Sequence, residues 1–106
     1  MIRGTTVPIQ LKFPSDITDI EKIRIYFNQG SETVLTKDED DCTISSNIVT
    51  TELSQEESYK FTAKKRLQIS CRAMLSNDSV IGSRPVFFDV YDTGGAAEVL
   101  TDEEEA

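Results

Sequence analysis

The stretch Leu67–Leu75, with the sequence LQISCRAML, decides the fold class of this chain. Its apolar side chains fall on every second residue, and Gln68, Ser70 and Arg72 occupy positions between them. Successive side chains of a β-strand point to opposite faces, so this alternation predicts a strand with one buried and one exposed face. A helix would instead need apolar residues three and four positions apart.

The same two-residue period recurs along the rest of the chain, with turn residues between the periodic segments. The predicted strands contain Val7, Ile9, Leu11 and Phe13; Ile23, Ile25 and Phe27; 33–36; Cys42 and Ile44; 48–51; Leu67–Leu75; and 80–91. Residues 28–31 and Ser46-Asn47 are turn signals, and Asn47 is suited to a positive φ. Gly82 and Pro85 interrupt the last strand, as a bulge or a change of sheet requires.

About seven short strands with regularly spaced turns predict an all-β domain over residues 1–91. The expected architecture is an antiparallel β-sandwich of immunoglobulin-like size, because two amphipathic sheets must cover each other's apolar faces. A small β-barrel is the structural alternative. One break in the β pattern lies between Leu53 and Phe61, where Ser54 and Glu57 have the spacing of a capping box and predict a single helical turn.

Composition excludes most common catalytic designs. The 106 residues include no histidine and no tryptophan, so the chain can form neither a Ser-His-Asp triad nor a His-ligated metal site. No arrangement of carboxylates, thiols or glycines replaces these groups, and we therefore expect no enzymatic activity and no cofactor. Cys42 and Cys71 lie on apolar strand phases and are predicted to be free, buried thiols.

The charge of the chain is unevenly distributed. The net charge is -8, but residues 92–106 contain six acids and no base, which leaves 13 acids against 11 bases in residues 1–91. The sequence predicts an acidic, disordered tail over 92–106, since few bulky apolar residues are present there. The net charge of -8 opposes sequence-independent binding to nucleic acid and binding to an anionic membrane.

Two charged clusters have alternative interpretations. The run Asp38–Asp41 lacks the spacing of a calcium loop and is predicted to be a solvated connection between strands. Lys60, Lys64, Lys65 and Arg66 form a basic cluster, which either complements the carboxyl end of the helical turn or contacts an acidic neighbour, such as the tail of another copy.

Aromatic side chains on the polar phase of two strands are candidates for a protein interface. Tyr26 lies opposite to the apolar phase of its strand, and so do Phe87 and Tyr91 on the last strand. If one face of that strand is open to solvent, Phe87 and Tyr91 form an exposed apolar patch of the kind that marks protein contacts. The alternative is that the tail or a loop covers this second face of the last strand and buries Phe87 and Tyr91.

The order of several segments resembles a known family. These segments are Arg3-Gly4-Thr5-Thr6-Val7-Pro8; Ile23–Phe27 with the turn Asn28-Gln29-Gly30; Asp41–Ile44; Leu53–Glu57 before Phe61; and Leu67–Leu75. Together the chain resembles small β-sandwich proteins associated with the tails of bacteriophages and prophages of Gram-positive bacteria. It departs from their pattern by placing Val7 before the proline and by using Ser76-Asn77-Asp78 as a turn.

The resemblance implies a non-enzymatic structural or adaptor protein of a phage tail or baseplate, located in the virion after synthesis in the bacterial cytoplasm. Its partners would be other tail or baseplate proteins, or further copies of the chain. Arg3 and Gly4 then belong to an assembly segment, with Gly4 permitting close backbone approach. Pro8 cannot donate a ladder bond and marks an edge strand open to a partner strand. The alternative function is a module that binds carbohydrate or a cell surface.

Overall fold

The computed structural model describes residues 1–93, and these residues form eight strands, one 3₁₀ turn and one α-helical turn. Each alternating segment of the sequence contains a strand, although Phe13, Cys42 and residues 89–91 lie outside the strands. In chain order the elements are β1 (Val7–Lys12), β2 (Ile20–Gln29), β3 (Glu32–Asp38), a 3₁₀ turn (Glu39–Asp41), β4 (Thr43–Ser45), β5 (Ile48–Leu53), α1 (Gln55–Ser58), β6 (Leu67–Leu75), β7 (Val80–Gly82) and β8 (Val86–Phe88).

The strands form two antiparallel sheets that enclose one core, which confirms the predicted β-sandwich. The smaller sheet has the order β1-β5-β4, and the larger has the order β3-β2-β6-β7, with β8 also paired to β6. In immunoglobulin constant domains the second and third strands lie in opposite sheets. Here β2 and β3 are neighbours in one sheet, so the likeness to those domains concerns architecture and size, not strand order.

The centre of the larger sheet is the antiparallel pair β2 and β6. Ile23, Ile25 and Phe27 lie opposite Ala73, Cys71 and Ile69, and all six are buried. Side chains of paired residues point to the same face of a sheet. One face of this pair therefore supplies much of the apolar core, which it shares with Ile9, Leu11, Val49 and Leu53 of the smaller sheet.

The last predicted strand is interrupted where the sequence indicates. Its two parts, β7 and β8, both pair with β6 along the same side, with Gly82 ending the first part and Pro85 preceding the second. Ser83 bridges the gap, because its amide donates to the Cys71 carbonyl at 2.9 Å and its hydroxyl accepts from the Cys71 amide at 3.0 Å. The split raises the strand number from about seven to eight.

The turn before β5 differs in detail from the prediction. The positive φ belongs to Ser46, at 53°, and not to Asn47. Asn47 is held against Phe13, whose carbonyl accepts from the Asn47 side-chain amide at 3.0 Å and whose amide donates to the Asn47 carbonyl at 2.8 Å. Asn47 is thus fixed by two bonds to Phe13, and the exposed Ser46 has the left-handed backbone conformation.

Two other local predictions are confirmed. Strand β1, which carries Pro8, lies at the edge of the smaller sheet. The capping box of α1 is complete, because the Ser54 hydroxyl accepts from the Glu57 amide and the Glu57 carboxylate accepts from the Ser54 amide. Lys37 of β3 adds an ion pair to the same carboxylate at 2.9 Å and so ties the helical turn to the larger sheet.

The acidic tail predicted over 92–106 falls mainly on residues 94–106, which lie outside the described residues. Asp92 precedes them and pairs with the Arg3 guanidinium. A search of residues 1–93 for a helix with the length and apolar character of a membrane span finds none.

Replacement of Glu57 by glutamine tests the charge of the capping box. Burial raises the pKa of the Glu57 carboxyl, but the Ser54 amide and Lys37 together outweigh burial and leave that pKa below its ordinary value. The ionised carboxylate therefore stabilises the fold above about pH 4.3, the ordinary pKa of glutamate, and this contribution disappears as the pH falls through the lowered pKa.

We expect Glu57→Gln to lower the free energy of unfolding by about 0.5–1 kcal/mol at pH 7, because glutamine keeps the cap but loses the ion pair. Urea denaturation at pH 7 and pH 3 measures the difference. A loss of equal size at both pH values would contradict the assigned role of the charge.

The two thiols, both free, should differ in reactivity. Burial, with a contribution from Cys42, raises the pKa of Cys71 to about 12. Burial and the carboxylates of Asp41, Glu39 and Asp38 also raise the pKa of the half-buried Cys42. At pH 8 we expect iodoacetamide to modify Cys42 slowly and Cys71 only after unfolding, since the thiolate is the reactive form. Mass spectrometry of the peptides reads both rates, and equal native rates would contradict this assignment.

Candidate functional site

The side of the larger sheet that faces away from the core is the candidate site, and we call it the outer face. Alternation along β2 and β6 directs polar and aromatic side chains to this side. Phe87 of β8 joins them because it pairs with Gln68, and Val80 of β7 joins them because it pairs with Met74. The outer face is defined by Lys22, Arg24, Tyr26, Arg66, Arg72, Met74, Val80 and Phe87.

Tyr26 and Arg72 form the central contact of the outer face. The Arg72 guanidinium donates to the Tyr26 hydroxyl at 2.6 Å and lies 5.3 Å from the centre of the Tyr26 ring. The hydrogen bond to Tyr26, with their electrostatic interaction, raises the pKa of Arg72 above its ordinary value. Arg72 is thus a permanent positive charge whose direction is set by an aromatic ring.

A second pair of the same type lies at the end of the outer face where β6 begins. The Arg66 guanidinium stands 4.5 Å from the centre of the Phe87 ring. Phe87 is 47% exposed, a large fraction for an aromatic side chain. An arginine over a half-exposed ring presents both apolar area and a charge to an incoming molecule.

The buried side chain of Gln29 positions the loop that leads to Arg66. Its amide group donates to the carbonyls of Thr62 and Lys65 at 2.9 and 3.0 Å, and its oxygen accepts from the Thr62 amide at 2.8 Å. Three hydrogen bonds from one buried group define the path of this loop, including Lys64, which has a positive φ of 66°. Sequence reasoning missed Gln29, because it took this residue for part of a turn.

At its other end the outer face forms a shallow, open depression of about 570 Å³ between Arg24, Arg72 and Val80. Asp38 and Glu39 border it. Hydrogen bonds from backbone amides, first its own and then that of Ile23, lower the pKa of Glu39, and Lys22 and Arg24 add to the effect. The depression is therefore cationic in its middle, with two carboxylates along one side.

Arg3 and Gly4 have intramolecular contacts. The Arg3 guanidinium contacts Asp92, donates to the Tyr59 carbonyl at 3.1 Å and lies 5.6 Å from the centre of the Tyr59 ring. Gly4 has a φ of +83° and donates its amide to the Ser58 hydroxyl at 2.7 Å. The close backbone approach predicted at Gly4 is thus made by Tyr59 of the same chain. The interface role of both residues stays a prediction.

Pro8 and Tyr91 are both exposed, and neither belongs to the outer face. Pro8 is on β1 of the smaller sheet, and the structure does not bring it near the aromatic candidates. Tyr91 is 58% exposed and pairs with Ile2 through a parallel bridge. Tyr91 also borders a cleft with Lys64, Lys65 and Arg66, so it adjoins the Phe87 end of the outer face.

The charged clusters of the sequence have the following positions. Asp38–Asp41 form a capped 3₁₀ turn, in which Asp38 accepts from the Asp40 amide and Asp41 accepts from the Asp38 amide. Among residues 1–93 no group of acidic or cysteine side chains has an arrangement that could hold a metal ion. The last turn of α1 contains no basic residue, so the proposed role of the basic cluster in complementing the helix dipole is wrong.

Lys22, Arg24, Arg72 and Met74 were missed as candidates, although their signal was present in the sequence. They occupy the polar phase of the two clearest strands, as Tyr26 does. Basic residues on an exposed strand phase ordinarily indicate only a solvated face. The register that places Arg24 directly opposite Arg72 was needed to bring them together.

Comparison of the chain with protein-family models, with curated proteins and with solved structures gives no match.

Replacement of Gly4 by alanine tests the packing of the amino-terminal segment. A Cβ at Gly4 would overlap the Tyr59 hydroxyl and lie 2.6 Å from the ring atom that carries it, on a backbone with a positive φ. We expect Gly4→Ala to lower the free energy of unfolding by about 1–3 kcal/mol.

Gly82→Ala is the matched control, because a Cβ there meets no atom closer than 3.8 Å. Its effect should stay within about 0.5 kcal/mol. Denaturant unfolding of both variants gives the comparison, and equal stabilities of the two would refute the assigned role of Gly4.

Proposed function

We propose that this chain is a non-enzymatic structural or adaptor protein of a bacteriophage or prophage tail or baseplate. It acts through protein–protein contacts, and its partners are other tail or baseplate proteins or further copies of itself. The proposal has two supports. The sequence resemblance favours a phage tail or baseplate as the location, and the outer face is a surface suited to contact with another protein.

The composition of the outer face is the observation that carries the proposal. Aromatic residues, methionine and arginine are enriched at protein interfaces relative to the rest of a protein surface. Tyr26, Phe87, Met74, Arg66 and Arg72 are all of these types and lie on one side of one sheet. Aromatic and arginine side chains also dominate the energetic centres of such interfaces.

The shape of the outer face supports a protein partner over a small substrate. Its depression is shallow and open, whereas sites for small molecules are enclosed clefts that bury most of the ligand. A broad surface with two arginines held over aromatic rings suits another protein, because these side chains are already ordered and lose little freedom on binding.

Association with phage particles is the direct test. Tailed particles released by cells that encode the chain are purified, and the chain is detected in them by mass spectrometry and located by gold-labelled antibody. We expect label at the tail or baseplate. Its absence from purified particles that contain the other tail proteins would contradict the proposal.

Phe87→Ser, introduced into the encoding genome, tests whether the outer face makes the contact. We expect the amount of chain per particle to fall by about tenfold, a loss of the size given by removal of an important aromatic side chain from an interface. Arg84→Glu is the control, because the exposed Arg84 lies beside Lys12 and Asn47 and outside the outer face. An equal loss for both variants would show that the outer face has no special role.

A further inference from the structure

The loop before β6 presents three consecutive basic residues, and the fold holds this loop in a defined shape. Lys64, Lys65 and Arg66 are all exposed. Lys64 has a φ of 66°, a left-handed conformation that is unfavourable for a lysine. The buried Gln29 fixes the backbone on both sides of Lys64 through hydrogen bonds to the carbonyls of Thr62 and Lys65. Unfavourable backbone conformations cluster at binding and switch regions, so this loop is a candidate for contact with a partner.

The ion pairs within residues 1–93 do not neutralise the positive charges of this loop. The ion pairs found in that part of the chain join Arg3 to Asp92 and Lys37 to Glu57. Asp89 borders the same cleft as the three basic side chains, but among these residues it forms no ion pair with them. The loop therefore presents three positive charges beside a single carboxylate.

Exposed apolar side chains lie beside the basic loop. The described residues include four exposed large apolar side chains, and three of them are Ile2, Phe87 and Tyr91. Tyr91 borders the cleft and is bridged to Ile2. The Phe87 ring lies under the Arg66 guanidinium. Exposed apolar area with a polar rim marks protein contacts. We call these residues together the basic patch: Ile2, Lys64, Lys65, Arg66, Phe87 and Tyr91.

The cleft within the basic patch suits one side chain of a larger molecule. Its volume is about 180 Å³. Sites for small molecules usually have volumes of about 300–1,000 Å³. The cleft is therefore too small for a typical small ligand, whereas a single side chain can enter it while neighbouring groups contact the basic residues.

A protein segment fits the charges near the basic patch better than a nucleic acid does. Single-stranded nucleic acid would stack its bases on the aromatic rings and place its phosphates against the basic residues. However, residues 1–91 contain 13 acids against 11 bases, and Asp92 follows Tyr91 directly. These acids repel a chain that carries a charge on every unit. The carboxylates of a peptide need not occupy every residue and can avoid Asp89 and Asp92.

We propose that the basic patch binds an acidic segment of a partner protein, and that this segment also carries an apolar or aromatic side chain. The carboxylates lie against the three basic residues, with Arg66 able to hold one of them by two hydrogen bonds. The apolar side chain enters the cleft beside Tyr91, and Ile2 and Phe87 add apolar contact area. Exposed ion pairs contribute little, so the apolar side chain supplies much of the affinity.

This inference deepens the proposed function and rests on it for the identity of the partner, a tail or baseplate protein. It adds the chemistry by which that partner is recognised at the Phe87 end of the outer face. Binding of an acidic segment can be measured on the full chain without phage particles, so the two proposals can fail separately.

Four matched synthetic peptides, each of about ten residues and so up to about 35 Å long when extended, test the recognition. The first contains several glutamates and a central phenylalanine. The second has serine in place of the phenylalanine, and the third and fourth have glutamine or lysine in place of the glutamates. We expect the first to bind the full chain about tenfold more tightly than each of the others. Nuclear magnetic resonance titration gives the affinities and should show shifts at Lys65, Arg66 and Tyr91.

Two variants of the full chain each remove one component of the basic patch. We expect Lys65→Glu to weaken binding of the first peptide about fivefold, because an attraction becomes a repulsion. Tyr91→Ser should weaken it about tenfold, through loss of the aromatic contact. Arg84→Glu is the control, because it makes the same change of charge outside the basic patch. Urea denaturation shows whether each variant is folded.

Four results would overturn the inference. They are equal binding of the four peptides; equal losses for Lys65→Glu and Arg84→Glu; tighter binding of oligothymidylate than of the first peptide; and much tighter binding of the first peptide after the acids at 102–105 are changed to amides. The third would assign the basic patch to nucleic acid, and the fourth would assign it to the chain's own acids. If the peptides do not bind but Phe87→Ser still reduces incorporation into particles, the proposed function stands.

Discussion

The register between β2 and β6 is the constraint on which the rest of the structure depends. It places Ile25 opposite Cys71 in the core and, one residue along, Arg24 opposite Arg72 on the outer face. Because the side chains of a strand alternate, a slip by one residue would expose the apolar set and bury the arginines. The burial of apolar area, worth about 25 cal/mol for each Å² removed from water, therefore selects the register. The positions of the functional candidates follow from that selection.

The burial of apolar side chains in the core outweighs the repulsion between charged side chains on the outer face. Arg24 and Arg72 repel each other across the strands, but this cost is small compared with the apolar area that the same register buries. Tyr26 accepts a hydrogen bond from Arg72 and so sets the direction of its guanidinium. Gln29 contributes from inside the sandwich, because its three hydrogen bonds hold the loop that leads to Arg66. Arg66 and Arg72 are thus oriented before any partner is bound.

Local sequence patterns predict those structural features that depend only on neighbouring residues, such as the helical turn and the edge strand. The capping box needs only a hydroxyl and a carboxylate three residues apart, so Ser54 and Glu57 predict the helical turn without knowledge of the fold. Pro8 predicts an edge strand because it lacks an amide donor. By contrast, the local sequence does not distinguish Ser46 from Asn47 as the residue with the positive φ, and the bonds that hold Asn47 join it to Phe13, 34 residues away.

The sequence by itself determined the approximate positions of the strands, the helical turn α1, the buried phase of β1, β2 and β6 and the exclusion of histidine chemistry. Each of these follows from the order and type of neighbouring residues. Only the tertiary structure decided that Tyr26 and Phe87 lie on one face with Arg24, Arg66 and Arg72, and that Arg3 and Gly4 contact Tyr59. Strand pairing joins residues that are distant in the chain, and the register of that pairing comes from the packing of the whole core. The register that buries the apolar side chains of the larger sheet against the smaller sheet also places the side chains of the outer face together on the opposite side.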